Sequence, residues 1–354
     1  MQVLKPFLLF ALLTSFFIAH AQYKIEILDS NSFQLGEGVV LSKTSFRGLS
    51  VVDDNTIWAS GSRGTIARSI DGGKTFTYTQ LKGYEKSDFR DIEAFDEMRA
   101  IIMSSGTPAL ILKTTDGGQT WKEVFRQNDS AYFLDAMDFW DEKRGMLVGD
   151  PINGHFVLLQ TTDGGETWQK LDTSRTPKAM EGEAVFAASG TSLRCWGTYE
   201  FGFVTGGQHA RWFTYYVSIN KYNFISIEIV HGKSSQGIFS FTKSSVPFFV
   251  GGDYLCDTCN NTNAAKAFWP KVKNQDMVIE SVNSNSQVGY RSCVEDLRPS
   301  KLIIACGTRG VDIYTENSSW ISISESPFHV VRKAKNGKSV FLAGPNGKIG
   351  KLIY

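Results

Sequence analysis

Short runs of alternating apolar and polar residues, separated by Gly, Asp, Asn and Ser, fill the chain from about residue 23 onward. Phe46 to Val52 gives way to the turn Asp53-Asp54-Asn55, then come Thr56 to Ser60, the turn Gly61-Ser62-Arg63-Gly64, Thr65 to Ile70, a Gly-Gly break and Phe76 to Gln80. Period two within runs this short predicts strands, not helices. The same four-strand rhythm returns from about Asp88 to Asp129 and from Tyr132 to Arg175. It continues less regularly over Glu183 to Asn220, with Ser189-Gly190-Thr191 as first turn and Gly206-Gly207 as second, then Ser234 to Ser281 and Gly289 to Phe328. His329 to Tyr354 has room for three strands: Val330 to Lys333, Ser339 to Ala343 and Lys348 to Ile353. No long helix is predicted.

An eight-residue pattern marks the first three units. Ser69-Ile70-Asp71-Gly72-Gly73-Lys74-Thr75-Phe76 recurs as Thr114-Thr115-Asp116-Gly117-Gly118-Gln119-Thr120-Trp121 and as Thr161-Thr162-Asp163-Gly164-Gly165-Glu166-Thr167-Trp168, the aspartates 45 and 47 residues apart. Asp before two glycines makes a tight hairpin, because the carboxylate accepts local N–H groups and Gly supplies positive φ. The Thr satisfies the loop, and the Phe or Trp starts the next strand with its ring between neighbouring sheets. Three copies define the Asp-box, or BNR repeat, which resembles the hairpins of sialidase-like β-propellers; Thr315 to Trp320 is a degenerate remnant. Four strands per unit and a period of about 48 residues predict an all-β, seven-bladed β-propeller. Six or eight blades are the alternative counts. Tyr23 to Leu28 supplies the missing fourth strand of the last blade, closing the ring and removing exposed edges.

The N-terminus changes the compartment. Lys5, the apolar run Phe7 to Ala19 and the small-x-small site Ala19-His20-Ala21 read as a cleaved signal peptide over residues 1–21, too short to span a bilayer. The mature chain, 22–354, is then a single secreted or periplasmic domain, not membrane-spanning, without a lipid-anchor cysteine and read as a monomer. Among 354 residues, 33 Gly against 9 Pro fit a body of many tight turns and exclude disorder and collagen. The formal charge of +1 falls to zero when Lys5 leaves. That balance excludes nucleic acid, which needs a clustered basic footprint.

Several segments carry a more specific resemblance: Ser45-Phe46-Arg47-Gly48-Leu49-Ser50-Val51, Trp58-Ala59-Ser60-Gly61, Gly182-Glu183-Ala184-Val185-Phe186-Ala187-Ala188-Ser189-Gly190, Val250-Gly251-Gly252-Asp253-Tyr254 and Tyr290-Arg291-Ser292-Cys293-Val294. On these the mature chain resembles the photosystem II stability and assembly factor-like proteins. The resemblance implies a seven-bladed propeller and an arginine-rich patch that engages a partner. Relatives outside photosynthesis often carry oxidoreductase or glycosyl hydrolase labels.

Neither label finds its chemistry easily. No dinucleotide fingerprint, P-loop or H-E-x-x-H occurs, and the four His of the mature chain lack metal-ligand spacing, so no cofactor or metal is expected. Cys256-Asp257-Thr258-Cys259, in an insertion of about 253–270, reads as a disulfide in an exported protein. Cys293 and Cys306 are equidistant from the turn at Pro299-Ser300, so a regular hairpin sets them opposite each other as a disulfide or a reduced pair. Cys195 reads as core.

Arginines are the sharpest candidates. Arg47, Arg90 and Arg291 follow an aromatic in the same register of three first strands, which brings guanidinium forks to one rim of the channel. Arg211 joins them as an anion contact, and Glu183, Asp253, Tyr254 and Tyr290 are the neighbouring polar candidates. The competing reading pairs each Arg with a carboxylate such as Asp91, Glu93 or Asp135. The functional expectation is a binding or assembly scaffold for an anionic group of a protein or glycan. Sialidase-like hydrolysis, with Tyr254 or Tyr290 as nucleophile, is the alternative, although the Arg-Ile-Pro signature is missing.

Overall fold

The computed structural model describes residues 23–28, 33–259, 262–268, 277–282, 289–315 and 320–354. The expected signal peptide and most of the Asp-box remnant, 316–319, lie outside the described residues, as do parts of the expected insertion. Within them the strands form seven sheets, each with a four-stranded antiparallel core, arranged as the seven-bladed propeller the repeats predict.

Blade 1 runs outward as Phe46–Val51, Ile57–Gly61, Thr65–Ser69 and Phe76–Gln80. Phe33–Leu35 adds a parallel fifth strand to its outer edge, which the sequence did not announce. The innermost strands of blades 2 to 7 are Asp88–Ala94, Leu134–Phe139, Leu193–Trp196, Gln236–Phe241, Cys293–Asp296 and Val330–Lys333. They stand around a central channel, starting at what is termed here its upper mouth and ending at its lower mouth. Blade 7 takes its outermost strand, Lys24–Ile27, from the N-terminal side, paired antiparallel with Ile349–Ile353. The closure read from the sequence is therefore present.

Asp-boxes hold the lower ends of blades 1 to 3. In each, the carboxylate accepts the Thr N–H and hydroxyl: Asp71 from Thr75 at 2.9 and 2.6 Å, and Asp163 from Thr167 at 3.0 and 2.6 Å. The leading hydroxyl, such as Ser69 Oγ, accepts the N–H of the second glycine at 3.0 Å. That glycine has positive φ and no room for a Cβ: one at Gly73, Gly118 or Gly165 would meet Phe341, Trp58 or Ile101 at 2.8, 3.2 or 2.3 Å. All three obstacles belong to the preceding blade, so each box is also a docking pad. Trp121 extends this contact, its ring edge-on to Trp58 at 6.3 Å.

Adjacent innermost strands share no β-ladder, so their inward N–H groups need other acceptors. Side chains supply them. Ser50 Oγ accepts from Ala94 N at 3.0 Å, Asp91 Oδ2 from Met137 N at 2.7 Å and Asp138 Oδ2 from Cys195 N at 2.7 Å. Ser240 Oγ accepts from Val294 N at 2.9 Å and Cys293 Sγ from Val331 N at 3.4 Å.

Blade 4 departs from expectation. Its strands are Leu193–Trp196, Glu200–Val204, Arg211–Tyr216 and Lys221–Ser226, so it starts after Ser189-Gly190-Thr191 rather than around it. Glu183–Ala184 instead pairs with Gly206–Gly207, and that pair joins the sheet of blade 5. The segment 185–192 is buried for most of its length yet forms no strand. It crosses the channel as a plug, anchored by partners from six blades. Val185 N donates to Asp150 Oδ1 at 3.0 Å in blade 3, and Phe186 stacks on Phe239 of blade 5 at 3.9 Å. Ala188 O accepts from Arg47 Nη1 at 3.5 Å in blade 1, Ser189 Oγ donates to Ser292 O at 2.8 Å beside blade 6, and Ser192 O accepts from Val204 N at 2.9 Å in blade 4. Gly190, at φ +66°, abuts Asp91 of blade 2 so closely that a Cβ would stand 2.0 Å from Oδ1.

Asp91 cannot swing aside, because both its oxygens already hold backbone N–H groups. Gly190→Ala is therefore expected to cost about 2 kcal/mol or more, from left-handed backbone plus displacement of a buried carboxylate. Chemical denaturation of the two proteins measures it, and equal stability refutes the plug geometry.

Candidate functional site

Arg47, Arg90 and Arg291 lie at or just before the upper starts of the first strands of blades 1, 2 and 6, and Arg211, Glu183, Asp253, Tyr254 and Tyr290 lie on neighbouring upper-end segments. Their chemistry separates them. Arg291, fully buried, donates from Nε to Asp312 Oδ2 at 2.6 Å, pairs with the same carboxylate through Nη2, and reaches Tyr290 O at 3.0 Å through Nη1. Arg211 is not on a first strand but opens the third strand of blade 4. It holds Glu183 through Nε at 2.8 Å and again through Nη2, and donates to Lys178 O at 2.9 Å. Glu183 further accepts from Thr205 Oγ1 at 2.6 Å and Met180 N at 2.9 Å. These three residues are internal struts, and the expectation that they face a ligand is corrected: the Arg291 and Arg211 guanidiniums are paired with Asp312 and Glu183, and both Glu183 oxygens accept, within the fold.

The structural reading of the arginines is right in kind but wrong in its partners. Asp91 binds backbone amides, Glu93 takes Lys335 at 2.5 Å at the lower mouth, and Asp135 is buried with neither oxygen hydrogen-bonded. Arg90 pairs with Asp88 at 2.7 Å, both about one-third exposed, and lies 6.0 Å from the Phe133 ring. Arg47 differs from all of these. Among the described residues its one hydrogen bond is the long contact to Ala188 O at 3.5 Å, and none of their carboxylates lies within ion-pair distance. Burial and the neighbouring Arg90 charge lower its pKa.

Around Arg47 stand groups that the sequence reading missed. His329 occupies the equivalent place in blade 7, in Phe328-His329, repeating the aromatic-then-cation pattern of Phe46-Arg47 and Phe89-Arg90. Burial, reinforced by Arg47, Arg90 and Lys348, pushes its pKa down to about 3, so it is neutral at ordinary pH. Beside it is an aromatic cluster. Tyr290 packs edge-on to Phe239 at 4.8 Å, and Tyr254, 47% exposed, stands edge-on to both Phe239 and Phe186. Phe186 gave no sequence signal because its place depends on the plug.

Asp253 is buried and accepts from Gln236 Nε2 and Leu255 N, both at 3.0 Å, which shapes the turn that presents Tyr254. The Cys256–Cys259 disulfide follows it, as expected. Asp257 within that loop accepts from Tyr290 N at 3.2 Å and Thr308 Oγ1 at 2.9 Å, tying the loop to blade 6. Cys293 and Cys306 do face each other in register, and both are buried free thiols, not a disulfide. Cys195 is a buried core thiol. Neither Tyr254 nor Tyr290 hydroxyl bonds a carboxylate among the described residues, so the Tyr–Glu arrangement of a sialidase nucleophile is not assembled. No group of three metal-ligating side chains occurs among those residues, and no helix there is long and apolar enough to cross a membrane.

Residues 94–185, two Asp-boxes and the start of the plug, match the family model described as photosynthesis system II assembly factor YCF48. The resemblance read from the sequence is thereby shown. Solved structures agree on the fold over nearly the whole chain. "YCF48 bound to D1 peptide" superposes at TM-score 0.62 with 15% identity, covering 94% of this chain and 96% of that one. YCF48 from Cyanidioschyzon merolae gives 0.63 with 12% identity, covering 93% and 98%. The Pan2 WD40 domain of Neurospora crassa gives 0.58 with 12% identity, covering 87% and 88%. No curated protein matches the sequence. At such identities the likeness to YCF48 structures speaks for architecture, and the site rests on this chain's own residues.

Two measurements check the division of labour. Arg291→Ala strands Asp312 in the interior and is expected to cost about 3–5 kcal/mol in denaturant unfolding. Asp150, which anchors the plug at Val185, has its pKa raised by burial to about 6. The unfolded carboxyl titrates near 3.9, so this group favours folding below about pH 4 and loses that contribution as pH rises through about 6. Asp150→Asn keeps the acceptor. It is expected to raise the melting temperature above pH 6 and to have little effect below about pH 4.

Proposed function

We propose that this chain is an exported, non-enzymatic binding scaffold that docks an anionic segment of a partner, protein rather than glycan, at the upper mouth of its channel. Arg47 carries the reading. Of the four candidate rim arginines, Arg291, Arg211 and Arg90 are paired with Asp312, Glu183 and Asp88, and Arg47 is the one with no carboxylate partner among the described residues. Such a group is a fork awaiting a planar anion, and its partial burial strengthens what it binds. Neutral His329 adds no competing charge, and Tyr254 with its aromatic neighbours offers apolar surface beside the anion. A protein partner is favoured because a structurally similar propeller, YCF48, has been solved with a bound peptide. Arg90, half engaged by Asp88, is the secondary contact.

Arg47→Ala is the decisive variant. Partner captured from an envelope extract by the wild-type protein is expected to fall at least about tenfold with Arg47→Ala, and less with Arg90→Ala, while the melting temperature stays within about 2 °C. Capture should also weaken with salt, since a rim contact is screened. Undiminished capture by a folded Arg47→Ala protein overturns the reading.

A further inference from the structure

The opposite end of the channel holds a second concentration of charge. Beneath the plug, all seven blades contribute to a cavity of about 90 Å³ at the lower mouth. Three carboxylates line it, and each already has a cation: Glu93 takes Lys335 at 2.5 Å, Asp138 takes Lys243 at 2.8 Å, and Glu295 takes Arg194 at 2.8 Å. Two further cations line the same cavity without a carboxylate of their own. Lys333 spends its ammonium on the carbonyls of Gly337 and Ala334, at 2.8 and 3.4 Å. Arg332 donates Nε to Leu49 O at 3.3 Å, while its Nη1 is 3.8 Å from Glu295, too far for a hydrogen bond. Its two terminal amino groups have no hydrogen-bond acceptor among the described residues, and the side chain is only 13% exposed.

Five cations against three paired carboxylates, with Arg194, Arg332 and the carboxylates largely buried and Lys243 and Lys335 about two-fifths exposed, is an unbalanced arrangement. Charges held in low dielectric call for a counter-charge, and a guanidinium satisfies its fork best with an oxyanion. Size narrows the class further. The cavity has room for a few waters or one tetrahedral ion, far below the roughly 300 Å³ at which organic ligands begin to fit.

We propose that the lower mouth is a binding site for a phosphate-sized oxyanion, held by Arg332 with Lys333 and Lys335 beside it. The ion completes the charge ring that joins blades 2 to 7 and acts as a bound staple for the ring's lower end. This site is separate from the Arg47 rim, since the plug lies between them.

Isothermal titration with inorganic phosphate, at ionic strength fixed with chloride, tests it on the full mature chain. A saturable 1:1 heat and a phosphate-dependent rise in melting temperature are expected, as a ligand that binds only the folded state must produce. Arg332→Gln is expected to weaken binding at least about tenfold and Arg332→Lys less, while Arg47→Ala leaves it unchanged. Lys335→Gln, on a more exposed side chain, provides a second variant should Arg332→Gln fail to fold, and is also expected to weaken binding. Absence of a saturable heat, full affinity in a folded Arg332→Gln or Lys335→Gln protein, or loss in Arg47→Ala equal to that in Arg332→Gln each overturns the proposal.

Discussion

Everything in this propeller depends on how the innermost strands are joined. They converge on the channel but share no ladder, so most joints are a side-chain acceptor on one blade taking a backbone N–H from the next. Ser50, Asp91, Asp138, Ser240 and Cys293 do this at five of the seven joints, while Arg194 and Arg332 reverse the roles at the other two by donating to Phe241 O and Leu49 O. Leaving one such amide buried and unpaired costs about 1–3 kcal/mol, comparable with a sizeable part of a domain's net stability. Hence polar and charged residues sit in the heart of an all-β protein. A channel-facing carboxylate is here first a mortise for its neighbour, and only what remains after that duty is free for binding.

The same economy explains the fate of the three arginines that share one motif. In blade 6 the third strand places Asp312 under Arg291, and the guanidinium becomes part of the core. In blade 2 Asp88, two residues before Arg90, claims half of that head. Blade 1 offers neither, because its corresponding neighbours are small, and Arg47 is left facing the plug carbonyl of Ala188. One aromatic-Arg motif thus gives a strut, a compromise and an open fork, decided by the residues around it.

This is also where reading the chain stops being sufficient. The Asp-boxes, the seven units, the borrowed N-terminal strand and the facing of Cys293 with Cys306 all follow from local pattern and simple register, and all are present. The segment around Phe186 to Gly190 misleads because small and apolar residues in a buried setting look the same whether they pair with a strand or thread a channel. Its anchors, Asp150, Arg47, Ser292 and Asp91, are scattered along the chain from blade 1 to the start of blade 6. Partner identities failed for the same reason: Asp312 for Arg291 and Lys335 for Glu93 require knowing which strands and blades adjoin. Phe328-His329 is legible in the chain, since it repeats the aromatic-cation register with a neutral ring.

The borrowed strand has a mechanical side. Lys24–Ile27 and Ile349–Ile353 run antiparallel, with Lys24 opposite Ile353, so the two outgoing ends of the chain leave from the same end of a four-pair ladder. A pull that separates those ends loads the hydrogen bonds one after another, as a zipper, instead of all together in shear. The ring is therefore a clasp that resists pressure from its faces, where blades brace one another, and yields at low force when it is opened by its tails.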